Sequence, residues 1–442
     1  LKSALLALMA ATTVTAAPLQ TPQEVKAWRE DIAVAHDQFL AKDQSFSPEH
    51  RAQAARRLDA LAARVPELSE PQIVAELARV AALADNAHTR AYLLRNRGWW
   101  RRYPIRIWRF SDGWRVVAVR PGDEALLGGR IIRIGGRPVA EAAARVRPLF
   151  AGVDNWADYM AAYSLTSPDA LLGTGVIAGS GDTDFEVELA GRRVSRRIAA
   201  GPQERREVPE EAWWFLTPAH AAARGWVLAL KPERAAAYLS DPNAFYSLRR
   251  CEGDVLYLQF NRAENQAPGT VAQFAAQVLA EVERVPPAKM IVDLRFNTGG
   301  DLFRARPLFK ALAESPIGQT RGRLYEIVGP TSFSAAINHA ASLKQDSKAI
   351  LVGTEPGDRL DFWAEGGNVT LPNSKINLHY ADRAHLYSTH APQVLEKLLY
   401  ARLRLDDLKP ELPARLSFQD YLQGRDPAAE QVVPGGLKCP AA

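Results

Sequence analysis

The chain has 442 residues, 47% hydrophobic and 24% charged, with a formal net charge of +5. That length exceeds one ordinary core and predicts two or three domains, while the composition excludes a disordered chain. The basic residues are scattered among acids. Pairs such as Arg56-Arg57 and Arg205-Arg206 read as solvated faces, and no nucleic-acid partner is expected.

The first segment, LKSALLALMAATTVTAAPLQ, carries one Lys, an apolar and small-residue run, and then Val14-Thr15-Ala16. This pattern predicts a signal peptide over 1–16, cleaved after Ala16, and export to the periplasm or medium. The run is too short to span a bilayer, so no integral membrane segment is expected after cleavage. Two cysteines are present, Cys251 and Cys439. Export favours a disulfide between them that ties the tail to the core; two separate thiols are the alternative. With no CxxC and no HExxH, zinc is not expected.

Residues 17–97 read as a helical region. Thr21-Pro22-Gln23-Glu24 is a capping box with Pro at the first helical position, and Ser69-Glu70-Pro71-Gln72 repeats the device. Ile73, Val74, Leu77 and Val80 then recur at helical spacing. Residues 98–205 change texture. PIRIWRFSDGWRVVAV alternates around a Ser-Asp-Gly turn, and EALLGGRIIRIGGRPVAEA reads as strand, Gly-Gly turn and helix start. Such a unit recurs in small β-rich domains of the PDZ type, so a β-rich, PDZ-like domain is expected here. The aromatic-and-Arg stretch WWRRYPIRIW suits a two-faced strand pair better than a base-stacking platform.

Residues 206–442 form the third unit. From residue 250, strands at 255–260, 290–296, 323–329 and 348–353 alternate with helical runs. Such alternation predicts an α/β domain with a largely parallel sheet. Active sites in such sheets gather at the C-terminal strand ends. Three loops qualify: DLRFNTGGD, GPTSFS and GTEPGDR. Ser334 lies in the second, at a helix start, where N–H groups and the helix dipole favour an oxyanion. The Ala335 N–H is one candidate donor, and the Gly299-Gly300 turn could supply another. Thr331, Ser332 and Ser334 could equally do no more than cap the helix.

Taken in order, DLRFNTGG, TSFSAA, VGTEPGD, LPNS and ELPARLSFQDYLQGRDPAAE resemble the S41 peptidase family, which includes the C-terminal processing and tricorn-type proteases. DNAHTR (85–90) and PIRIWRFSDGWRVV resemble its non-processing exported branch. The resemblance implies a crotonase-like α/β core and peptide-bond hydrolysis by a serine nucleophile. It implies a peptide or protein substrate and no metal or organic cofactor. Matching TSFSAA to the family's serine motif points to Ser334, not Ser332. Where the family often has an acid three residues on, this chain has Ile337.

The processing branch uses a Lys about 25 residues after the serine; here Arg359 stands there. A guanidinium stays protonated and cannot be a base, though it could bind a substrate carboxylate. The other branch takes a His from the N-terminal region, which points to His88, with activity falling below about pH 6.5. His379, His385 and His390 are fallback bases, and His339 is expected to pack. The supporting acid is read as Asp407, with Asp406 beside it, and Asp293 is expected to hold its loop. A non-catalytic relative that binds peptide is the alternative. Substrate preference and oligomeric state are not legible.

Overall fold

The computed structural model describes residues 21–95, 99–201 and 211–440. The signal segment read over 1–16 lies outside the described residues.

Local chemistry sets the N-terminal helices. Helix Pro22–Val34 begins at Thr21, whose hydroxyl accepts from the Glu24 N–H while the Glu24 carboxylate accepts from Thr21 N–H at 3.0 Å. Two orphan donors are thereby satisfied. Helix Glu70–Ala82 opens with the same reciprocal arrangement between Ser69 and Gln72. Helix Pro48–Arg64 lies between them, capped by Ser47.

The next unit is built on a seven-stranded antiparallel sheet. Strands Ile105–Phe110 and Gly113–Val119 form the expected hairpin about Ser111-Asp112. Strand Arg130–Ile134, the Gly135-Gly136 turn and helix Val139–Val146 follow as expected. The region also contains helices Asp154–Ser164 and Pro168–Gly173, where a strand-rich reading expected none. Residues 156–163 are almost wholly buried, so the helical face carries no polar stripe to betray its period. One hydrophobic cluster runs through the N-terminal helices and this sheet, so the two regions share a core.

The third unit contains a six-stranded sheet. Strands Val255–Phe260, Lys289–Asp293, Leu324–Val328, Ile350–Gly353 and Leu412–Pro413 run parallel, and Tyr246–Cys251 closes one edge antiparallel. Side chains alternate between two cores. Leu256, Leu258 and Val292 pack with helices Val271–Arg284, Leu302–Glu314 and Ala335–Asp346. Val255, Tyr257 and Ile291 pack with Trp213, Phe296, Phe418 and Tyr421 on the other face. A sheet covered on both faces explains the unbroken apolar runs. Each fully buried large apolar side chain contributes about 1.5–3 kcal/mol.

Beyond residue 353 the chain forms two small sheets that the sequence reading did not resolve. Strands Asp361–Ala364, Arg383–Ser388 and Leu399–Leu405 make one; Gly367–Thr370, Asn377–Tyr380 and Arg90–Ala91 make the other. The second sheet joins the DNAHTR segment to the C-terminal unit. Cys251 and Cys439 are disulfide-bonded, fastening the tail to the edge strand. Among the described residues no helix is long and apolar enough to cross a membrane.

Candidate active site

The segment Gly329–Ser334 links strand Leu324–Val328 to helix Ala335–Asp346. Its hydroxyls divide the work. Ser332 is fully buried; its Oγ donates to the Leu294 carbonyl at 2.8 Å and accepts from the Gly329 N–H. Thr331 Oγ1 donates to the Arg295 carbonyl. Both are spent holding the loop. Ser334 occupies the N-cap position but makes no capping hydrogen bond, and it is the half-exposed residue in an otherwise buried run over 331–341.

Its backbone is strained, with φ 60° and ψ −120°. A non-glycine residue there costs on the order of 1–3 kcal/mol, and such strain gathers at functional sites. The conformation makes a sharp strand-to-helix turn that lifts the side chain out of the loop, as a nucleophile elbow does. Gly299 lies against it: a Cβ on Gly299 would stand 2.7 Å from Ser334 Cβ and 3.1 Å from its Oγ. Gly300 is pressed in the same way against the Ala263 backbone. Positive φ at both, +112° and +127°, requires glycine independently. The Gly299 N–H donates to Asn297 Oδ1 at 2.9 Å, so it is engaged within its own turn.

His88 is buried within a stack of rings. Trp156 lies on Phe333 at 3.9 Å between centroids, Phe333 on His88 at 4.3 Å, His88 on Phe362 at 5.1 Å, and Phe362 on His385 at 4.6 Å. Among the described residues neither imidazole nitrogen has a hydrogen-bond partner, and no hydrogen bond joins His88 to Ser334. The ring is held by stacking and by one carboxylate: Nδ1 stands 3.5 Å from Asp358 Oδ2. Burial, and then the charge of Arg90, hold His88 well below its ordinary pKa. Burial pushes Asp358 up to about 7, opposed by its bond from the Arg359 N–H and by the Arg359 charge. Desolvation disfavours the charged form of each partner.

The carboxylate beside His88 is therefore Asp358 and not Asp407. Asp407 Oδ1 accepts from Lys344 Nζ at 2.7 Å and from the Lys409 N–H, and it is half exposed. Asp406 accepts from Thr389 Oγ1. Asp358 lies in the GTEPGDR loop, one of the three singled out at the sheet's C-terminal edge. Its position beside Arg359 was the available signal.

Arg359 differs from its expected role as well. Its guanidinium is bidentate on Asp85, at 2.8 Å to each carboxylate oxygen. It thereby ties the loop carrying His88 to the loop carrying Asp358. Asp293 holds its neighbourhood, accepting from Tyr257 Oη at 2.7 Å and from the Arg295 backbone and guanidinium. Ile337 is fully buried in the helix-side core. His339 stacks face to face on Phe309 at 4.2 Å, and burial takes its pKa to about 3. His385 is buried, with Nδ1 2.7 Å from Tyr387 Oη and Nε2 3.2 Å from Glu365 Oε1. His379 contacts Asn368, and His390 is exposed.

A cavity of about 650 Å³ lies between strand Ile105–Phe110, helix Asp154–Ser164 and the Gly329–Thr331 backbone. Ser334 does not line it; Gly329, Pro330 and Thr331, earlier in the same loop, do. Among the described residues no cluster of three or more His, Cys, Asp or Glu is placed to hold a metal ion.

No family model matches the chain, and no curated protein matches it. Solved structures do. Mature CPAF complexed with lactacystin superposes with a TM-score of 0.57 at 13% identity, over 93% of this chain and 97% of that one. A CPAF mutant gives 0.58 at 13% identity, over 93% and 96%. The fold is S41 peptidase-like. The photosystem II D1 C-terminal processing protease matches over 92% of this chain and 99% of that one at 13% identity; its TM-score of 0.36 carries no weight. The expectation drawn from the ordered motifs holds at the level of the fold.

Proposed function

We propose that the protein is an exported serine peptidase with Ser334 as nucleophile, His88 as general base and Asp358 as its supporting carboxylate. The observation that carries this reading is the strained, uncapped, half-exposed Ser334 at a helix N-terminus. In the reaction, Ser334 Oγ attacks the scissile carbonyl and its proton passes to His88 Nε2. Asp358, facing Nδ1, stabilises the imidazolium. The N–H groups of Ala335 and Gly300 are the oxyanion donors in this reading; Gly299 serves by letting the turn approach Ser334. His88 then protonates the leaving amine, and water resolves the acyl-enzyme. The missing Ser334–His88 hydrogen bond is one that forms on substrate binding, since catalytic bonds in free sites are commonly long.

The substrate is a peptide or protein. We read the seven-stranded unit as the PDZ-like region, the six-stranded sheet with its helices as the crotonase-like core, and the unit boundaries as 17–97, 98–205 and 206–442. The Cys251–Cys439 disulfide supports an oxidising compartment, periplasmic or extracellular.

A second reading, a peptide-binding protein without turnover, is favoured by the unbonded imidazole. One experiment separates the two. Fluorophosphonate labelling with peptide mapping is expected to mark Ser334, and the mark is expected to vanish in His88→Ala. A folded protein that stays unlabelled in the presence of peptide, or Ser334→Ala with full turnover, would sink the peptidase reading.

A further inference from the structure

Arg90 stands two residues after His88 and opens the strand Arg90–Ala91, opposite His379. Its guanidinium lies 5.0 Å over the Tyr92 ring and 5.9 Å over the Phe333 ring, the residue before Ser334. The other arginines of this neighbourhood are matched to acids. Arg95 is bidentate on Glu211, and Arg359 is bidentate on Asp85. Among the described residues no carboxylate lies within ion-pair distance of Arg90. Its contacts are the Ala87 carbonyl at 3.5 Å and Tyr92 Oη at 3.4 Å, both at the limit of a hydrogen bond. Its Nε is buried and has no hydrogen-bond partner.

A partly desolvated cation without an acid is costly to keep, because water has been removed and nothing replaces it. Aromatic faces offset part of that cost, and they hold the guanidinium plane in place. They leave Nε without an acceptor and each terminal nitrogen with a single long contact. After burial, the Arg90 charge is the next cause that holds both His88 and His379 below the ordinary imidazole value. An arginine fork so held fits a planar carboxylate, which would neutralise the excess positive potential beside the nucleophile loop.

We propose that Arg90 binds a carboxylate of the substrate next to the scissile bond, either an acidic side chain or a free C-terminus. This rests on the peptidase reading of the same site. It makes Arg90 a specificity-determining residue, and it makes the substrates peptides carrying a negative charge within reach of Ser334.

The test uses the full chain with Ser334→Ala, so that binding is measured without turnover. Calorimetry compares three acetyl-capped, alanine-rich hexapeptides, with the single polar residue scanned along the peptide. One carries Glu and a C-terminal amide, one carries Gln and an amide, and one carries Gln and a free C-terminus. One of the two carboxylate peptides is expected to bind at least about tenfold tighter than the Gln amide, the scale of a charge-assisted hydrogen bond. Which one does so identifies the source of the carboxylate. Adding Arg90→Gln is expected to bring the ratio to about 1, and Arg90→Lys is expected to restore part of it. Thermal unfolding checks that each variant folds. An unchanged ratio in Arg90→Gln, equal affinities for all three peptides, or no binding by any carboxylate peptide would overturn the proposal. Full turnover by the Ser334→Ala protein would instead overturn the peptidase reading, whatever the ratios.

Discussion

The ring of Phe333 lies on the imidazole of His88, 4.3 Å between centroids and 22° between planes. Phe333 is bonded to Ser334 in sequence, so this stack couples the candidate nucleophile to the candidate base through one side chain. The far face of His88 is covered by Phe362 at 5.1 Å and 7°. The imidazole is sandwiched between two phenyl faces, which attract the charge it gains when it accepts a proton.

Phe362 is therefore expected to matter to chemistry and not to binding. Phe362→Leu keeps much of the apolar volume and removes the π face. Ring pairs of this kind are worth roughly 0.5–1.5 kcal/mol beyond area. Steady-state kinetics are expected to give kcat down about tenfold with KM nearly unchanged, the pattern of an interaction made in the transition state. A normal kcat in a folded variant would remove the stack from the mechanism.

The His88–Asp358 pair sets the acid limb of the pH profile. Asp358, held at about 7 by burial, must be ionised to support an imidazolium. We expect kcat/KM to fall as pH drops through about 7, above the pH 6.5 expected for an ordinary histidine. In Asp358→Asn the limb passes to His88 alone, whose pKa is depressed. It should move to lower pH while the plateau drops about 10²- to 10⁴-fold, the range for losing acid–base assistance. A limb that stays in place when Asp358 is changed would assign it to another group.

Gly299→Ala tests the close approach at Ser334. The new Cβ would meet Ser334 Cβ at 2.7 Å, on a backbone with φ +112°. Phosphonate labelling of Ser334 should slow at least tenfold, and stability should fall by about 1–3 kcal/mol, the scale of backbone strain. Labelling at the wild-type rate would mean that the turn can back away from the serine.

Glu326 offers a test of stability that leaves the site alone. It lies fully buried in the central strand Leu324–Val328, and neither carboxylate oxygen has a hydrogen-bond partner among the described residues. Burial pushes its carboxyl up to about 8, opposed only by Lys344. The folded state therefore binds a proton more tightly than the unfolded chain, whose glutamate titrates near 4.5. The stabilisation this gives is complete below pH 4.5 and is lost as pH rises through about 8. Glu326→Gln should abolish this group's share of that decline and raise the unfolding temperature at pH 8 and above. Parallel stability curves for the two proteins across pH 4.5–8 would refute the assignment.

Much of the fold was legible because it is local. The capping boxes at Thr21 and Ser69 need residues three apart, and the buried strands of the parallel sheet announce themselves as apolar runs. The small strands after residue 353 were not legible. They are four to seven residues long, too short to show a period, and Asn377–Tyr380 pairs both with its neighbour Gly367–Thr370 and with the distant Arg90–Ala91.

The sequence by itself determined the alternation of strand and helix, the three loops at the sheet's edge, and the serine at a helix start. These follow from hydrophobic period and turn chemistry, which act over a few residues. Only the tertiary structure decided which acid faces His88 and what Arg359 holds. Asp358 and Asp407 are alike as residues, and both sit in loops of the same unit. The difference lies in what each touches: a buried imidazole for one, a half-buried Lys344 ammonium for the other. Arg359 and Asp85 meet across 274 residues of chain. No local pattern encodes such a contact, because it depends on where several packed layers bring two loops together.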